Sequence, residues 1–211
     1  MRKVKDKIQI LKQLDASFKK NIFTDINLDN ILKKEKIEAT KFYTLFPHKT
    51  KSLCCFFFEN LANQAENNIK KKIRYEKSVS KRVKYLLIEF FYCLNNEKAI
   101  ALYFLSFLAT KPFLLKKISL HYSNKIWSLL EDKSTDFNFY TKRYILSQIF
   151  INTLIYWRGS ESIEKTIDFI NSQIVALGKF GYYKSRFIKV ITSLYKNKSE
   201  ILTKFDFLHK N

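Results

Sequence analysis

Apolar residues recur at steps of three and four along nearly the whole chain. Val79, Val83, Leu86, Leu87, Phe90, Phe91 and Leu94 make one such stripe. Cys54, Phe57, Phe58, Leu61, Ala65 and Ile69 make a second, and Leu115, Ile118, Tyr122, Ile126 and Leu129 a third. That spacing is the period of an α-helix with one buried face. No segment alternates apolar and polar residues as a half-buried strand does. Pro47 and Pro112 sit between stripes, where helices are expected to end, because the residue before a proline avoids helical geometry. Gly159, Gly178 and Gly181 also fall near breaks. The pattern predicts an all-α bundle of about nine or ten helices, with no solenoid-like repeat.

Composition narrows this picture without changing it. At 211 residues the chain has room for one domain, or one with a small appendage, and for a substantial core. Only 3 Gly and 2 Pro interrupt it, which favours long helices over many short strands. The longest clean apolar run is "AIALYFLSFLA", Ala99 to Ala109. It is far short of the roughly 20 residues that span a bilayer, so it reads as a buried core helix. The start, "MRKVKDKIQILKQL", lacks the apolar core of a signal peptide, so a soluble or peripheral protein is expected.

The formal charge, 39 − 19 = +20, suits an anionic partner: nucleic acid, a membrane surface or an acidic protein. Lysine is abundant throughout, however, and most lysines read as solvated helix faces. Cys54, Cys55 and Cys93 lack a paired CxxC spacing and read as reduced, buried thiols. His48, His121 and His209 are too scattered for a metal-ligand set. There is no Gly-rich phosphate loop, no Glu-x-x-His pair and no recognisable nucleophile–base set. No catalytic residue, metal or cofactor is therefore expected.

Residues 27–49, "NLDNILKKEKIEATKFYTLFPHK", predict two short helices around a turn at Glu35–Ile37. Leu28, Ile31 and Leu32 would face inward, and Phe42 and Tyr43 would sit on the second helix. This looks like the helix-turn-helix of TetR-family regulators, which resemble it in ending on a Phe-Pro-x-Lys-like stop. Lys41, His48 and Lys49 could reach phosphate. The usual Gly of the turn and Ser of the recognition helix are Lys36 and Glu38 here. Glu38 puts negative charge where a DNA backbone would approach. A head kept as scaffold is the favoured reading, with nucleic-acid binding not expected.

The run Asp132 to Arg143, "DKSTDFNFYTKR", opens another helix. Ser134, Thr135 and Asp136 are all good N-cap residues. Capping does not explain Phe137, Phe139 and Tyr140 so close together, followed by Lys142 and Arg143. One helix face cannot take them all, so bulky groups must point outward, as in a protein-contact patch.

The longer run "IWSLLEDKSTDFNFYTKRYILSQIFINTLIYW", residues 126–157, resembles the signature of the coenzyme Q biosynthesis protein nine family. Members carry a W…D-x-STDF-x-(W/F)-YT-(K/R)-R run in the same order. "ALYFLSFLATKPFLLKKISLHYSNKIW", ending at Trp127, and "IEKTIDFINSQI", 163–174, resemble its flanks, so the likeness covers most of residues 20–178. This chain departs from the pattern at Glu131, where a small residue is usual, and at position 139, a Phe where many members have Trp or His.

The resemblance implies a TetR-like all-helical fold and an accessory protein of ubiquinone biosynthesis. It implies an isoprenoid lipid or ubiquinone intermediate as ligand, a membrane surface as location, and demethoxyubiquinone hydroxylase as partner. Carried over, the partner-binding residues are Asp136, Phe139, Tyr140, Lys142 and Arg143. The lipid-binding residues would be Phe90, Phe104, Phe107, Tyr144 and Trp157, each of which also fits a plain core role. A homodimer is compatible with these readings. The location expected is the cytoplasmic face of a bacterial inner membrane.

After Gly178 and Gly181 the chain reads as a basic amphipathic helix. Lys184, Arg186, Phe187, Val190, Ile191, Leu194 and Tyr195 suit a membrane interface; packing on the body as one more bundle helix stays open. The expected organisation is a three-helix head at 1–49, a lipid-binding body at 50–178 and this helix at 179–211. The alternative function is a TetR-family DNA-binding transcription regulator with a hydrophobic effector. A structural partner with no ligand is the third.

Overall fold

The expected stripes all lie on helices. The computed structural model describes residues 2–20, 23–133 and 135–175, without the side chains of residues 2 and 136–138. The helices are α1 (Arg2–Gln13), α2 (Asp15–Lys19), α3 (Leu28–Lys34), α4 (Ala39–Leu45), α5 (Lys49–Tyr75), α6 (Val79–Asn96), α7 (Lys98–Ala109), α8 (Pro112–Leu129) and α9 (Asp136–Gly159). Residues 163–175 form a further helical stretch, and no strand occurs among the described residues. The fold is an all-α bundle. The chain divides into two compact units, Met1–Ile170 and Asn171–Asn211. Of the second unit, residues 171–175 are described.

Local chemistry sets the helix limits. Pro112 opens α8, where its missing N–H is one of the donors a helix start leaves unpaired anyway. Ser78 caps α6 by accepting from the Lys81 N–H at 3.4 Å. The α4 helix stops at Phe46, immediately before Pro47. Where three helices are expected in 1–49, four are described, because the chain bends at Leu14 between α1 and α2. The Ser17 and Phe18 N–H groups donate to the Leu14 carbonyl at 3.0 and 3.1 Å. The bend lets Leu14 and Phe18 both be buried.

In the middle stripe Val83, Leu86, Leu87, Phe90, Phe91 and Leu94 are buried, and only Val79, at the helix start, is exposed. The α5 helix packs along α6, and α8 along α9. Two aromatic clusters fill the interior. Phe18, Phe57 and Phe104 meet at ring separations of 5.2–5.3 Å, with Phe23 and Tyr103 beside them. Phe90, Tyr122 and Phe150 meet at 4.6–4.9 Å, within the range where tilted aromatic pairs are favourable.

Candidate functional site

The α8–α9 junction is built by a left-handed turn. Glu131 has φ 54°, a conformation glycine takes freely and a glutamate does not. Its N–H donates to Ser128 O, and the Asp132 N–H donates to Trp127 O, each at 3.1 Å. This paired closure is a Schellman cap. A small residue would take this conformation more freely than Glu131 does. Thr135 occupies the N-cap with extended backbone, but its side chain accepts no cap hydrogen bond. Ser134 lies outside the described residues.

The turn brings Asp132 under the first turns of α9. Lys142 Nζ donates to Asp132 Oδ1 at 2.9 Å, and Arg143 Nη1 donates to Oδ2 at 3.1 Å. Arg143 Nη1 also donates to the Phe139 carbonyl at 3.0 Å, and the guanidinium lies 3.3 Å from the Phe139 ring centre. Ser123 donates to the Arg143 carbonyl at 2.7 Å. Trp127 Nε1 donates to the Lys142 carbonyl at 3.3 Å, with the Lys142 ammonium 5.2 Å from the indole. Trp127, Asp132, Phe139, Lys142 and Arg143 thus form one clasp.

The expected partner-binding residues separate accordingly. Arg143 is buried, with 7% of its surface exposed, so its charge serves the clasp rather than an open surface. Lys142 and Phe139 are half-buried. Tyr140 is 71% exposed and stands edge-on against Phe139 at 5.2 Å. Asp136 opens α9, and its side chain lies outside the described residues. Of the described groups, Phe139, Lys142 and Arg143 turn into the clasp and Tyr140 turns outward, while the Phe137 side chain lies outside the described residues.

The second feature is a cavity of about 280 Å³ between α5 and α8. It opens where the α5–α6 pair meets the α8–α9 pair. Its apolar lining includes Phe58 and Ala62 of α5, Phe90 of α6, Ile118 and Tyr122 of α8, and Phe150 of α9. The Tyr122 hydroxyl donates to the Leu86 carbonyl at 3.0 Å. Burial raises its pKa well above that of an ordinary phenol, so it stays neutral.

Of the expected lipid-binding residues, Phe90 lines this cavity. Phe104 belongs to the other, closed aromatic cluster. Trp157 is buried, with Nε1 donating to Asn95 at 3.3 Å. Phe107 is half-buried beneath the Lys111 ammonium, 4.9 Å from its ring centre. Tyr144 is exposed rather than interior, because its side of α9 faces solvent beside Lys116. Phe58, Ile118 and Tyr122, which do line the cavity, belong to the sequence stripes. Phe150 carries the same signal, four residues before the buried Leu154.

In the head, the expected turn between α3 and α4 forms with a lysine at its left-handed position. Lys36 has φ 55°. Of the groups placed to reach phosphate, Lys41 is ion-paired with Asp6 at 2.9 Å, and Lys49 lies 6.0 Å from the Tyr43 ring centre. Tyr43 donates to Asp29 at 2.7 Å. Lys184, Arg186, Phe187, Val190, Ile191, Leu194 and Tyr195 lie outside the described residues. Among the described residues no helix is long and apolar enough to cross a membrane. No His/Cys/Asp/Glu group among them could hold a metal ion.

Fold and site together define a helical bundle with a ring-lined cavity between two helix pairs. Residues 114–181 match the COQ9 family model. That match supports the family read from the sequence, coenzyme Q biosynthesis protein nine, and with it involvement in ubiquinone biosynthesis. No curated protein and no solved structure matches the chain.

Proposed function

We propose that this protein is a lipid-binding accessory protein of ubiquinone biosynthesis and not an enzyme. It binds isoprenoid quinone intermediates at the membrane surface and presents them to the demethoxyubiquinone hydroxylase. One observation carries the reading: α9 supplies both Phe150 in the cavity wall and the exposed Tyr140. At 1.5 Å per residue the two stand about 15 Å apart along one helix. A ligand in the cavity and a partner at Tyr140 would therefore touch one rigid element.

The clasp gives the partner surface its shape. Phe139, held beneath Arg143, supports Tyr140 from the side, so Arg143 positions the surface without being its contact. An exposed tyrosine on a fixed helix loses little conformational freedom on docking. The residues of 182–211 hold the protein to the cytoplasmic face of the inner membrane in this reading.

Native mass spectrometry of the protein after exposure to extracted lipids tests the first step, with a bound quinone or isoprenoid expected. Tyr140→Ala is expected to weaken hydroxylase binding about tenfold with the fold intact; unchanged binding removes the patch assignment. Deleting 182–211 is expected to abolish co-sedimentation with anionic liposomes. Retained binding sinks the membrane role.

A further inference from the structure

The cavity differs in chemistry between its floor and its mouth. At the floor Phe58 and Phe90 lie nearly parallel, with planes 13° apart, and Tyr122 and Phe150 close around Phe90. The Tyr122 hydroxyl is already engaged with a backbone carbonyl, so the floor presents aromatic faces and edges. At the mouth Lys117, His121 and Lys125 stand on successive turns of α8, across from Cys55 and Glu59 of α5. Lys125 is committed: it bonds to Asn63 and pairs with Glu66 at 3.4 Å. Lys117 and His121 make no ion pair among the described residues.

Size limits what enters. An apolar cavity of roughly 150 Å³ holds one benzene molecule. At about 280 Å³ this cavity holds one substituted ring, and a long polyprenyl tail must leave through the mouth. Ring-on-ring contact favours an aromatic guest at the floor. An acid group on that ring, placed at the mouth, would meet Lys117 and His121 and gain charge-assisted hydrogen bonds that a neutral group would not.

We infer that the cavity is a ring site selective for acids: it takes a single-ring aromatic carboxylate, ring against Phe58, Phe90 and Phe150, carboxylate at Lys117 and His121. This rests on the ligand-binding reading above and goes beyond it: a ring acid binds the cavity more tightly than the neutral quinone ring that the same cavity holds for the hydroxylase.

Saturation-transfer NMR on the full chain tests it with three probes: benzoate, the neutral benzyl alcohol, and farnesol as a tail without a ring. Benzoate is expected to bind saturably, at least fivefold tighter than benzyl alcohol, and more weakly as salt is raised. Lys117→Glu, at an exposed position, is expected to weaken benzoate about tenfold and leave benzyl alcohol unchanged. Equal binding of benzoate and benzyl alcohol, or indifference of benzoate to Lys117→Glu, overturns the inference. Farnesol binding without benzoate also overturns it while leaving the lipid-binding reading intact. Binding of none of the three overturns both.

Discussion

The turns that end α3 and α8 share a backbone and differ in what fills them. After α3, the Lys36 N–H donates to Lys33 O at 3.2 Å and the Ile37 N–H to Leu32 O at 2.8 Å. After α8, Glu131 and Asp132 make the same two bonds. Both turns put a long charged residue in the left-handed region, at roughly 1–2 kcal/mol each. In the head the closing residue is Ile37, buried like Leu32, so the turn is sealed by apolar surface. At the junction it is Asp132, whose carboxylate holds Lys142 and the buried Arg143. An apolar seal fixes where helices sit. A directional ion pair also fixes which way side chains point, which a partner-facing surface requires.

Removing the closing acid separates the two turns most strongly. Asp132→Ala leaves Arg143 buried without its carboxylate, and a loss of about 3–5 kcal/mol is expected. At about 2–4 °C per kcal/mol for a chain of this size, thermal unfolding should fall by roughly 6–20 °C. A fall under about 2 °C would show that the clasp is not a unit. Next in size come the left-handed residues. Lys36→Gly and Glu131→Gly should each raise stability, by about 0.5–1 kcal/mol after glycine's own entropy cost, in urea titrations. A loss at either site would mean that the long side chain contributes more than the strain.

Alkaline titration then distinguishes the polar contacts. The hydrogen bond to Asp29, with burial and the Asp29 charge adding, holds the Tyr43 hydroxyl above its ordinary pKa of 10.0. Its contribution is present below pH 10 and is lost as pH rises through the raised value. The stability difference between wild type and Tyr43→Phe, about 0.5 kcal/mol at pH 8, should vanish above that value. A difference that survives would assign the effect to packing. Smallest is Tyr140→Ala, expected within about 0.5 kcal/mol of wild type in stability. A larger loss would make Tyr140 part of the clasp instead of the surface it supports.

Helices are legible in this sequence because a buried face repeats every three or four residues. Depth is less legible. Phe90 and Phe104 are both apolar positions on core helices, yet one faces a cavity and the other a closed cluster. A stripe says which face turns inward but not where two helix pairs stand apart, so the gap between α5 and α8 is not written in either helix. The clasp is half-legible: Asp132, Lys142 and Arg143 all lie in one short run. Their meeting depends on a left-handed turn at Glu131, and a glutamate does not signal such a turn as glycine would. Tyr144 shares a face with Tyr140 on α9, and both are exposed, so an interior role for Tyr144 conflicts with the spacing itself.

The chain has two tryptophans, in different settings. Trp127 lies beneath the Lys142 ammonium in the clasp, and Trp157 is sealed in the interior against Asn95. The molecule therefore carries its own optical gauge. With Trp157 replaced by phenylalanine, the remaining indole emits from the clasp alone. Its fluorescence would then track the α8–α9 junction in real time, without a dye, as ligand or partner is added.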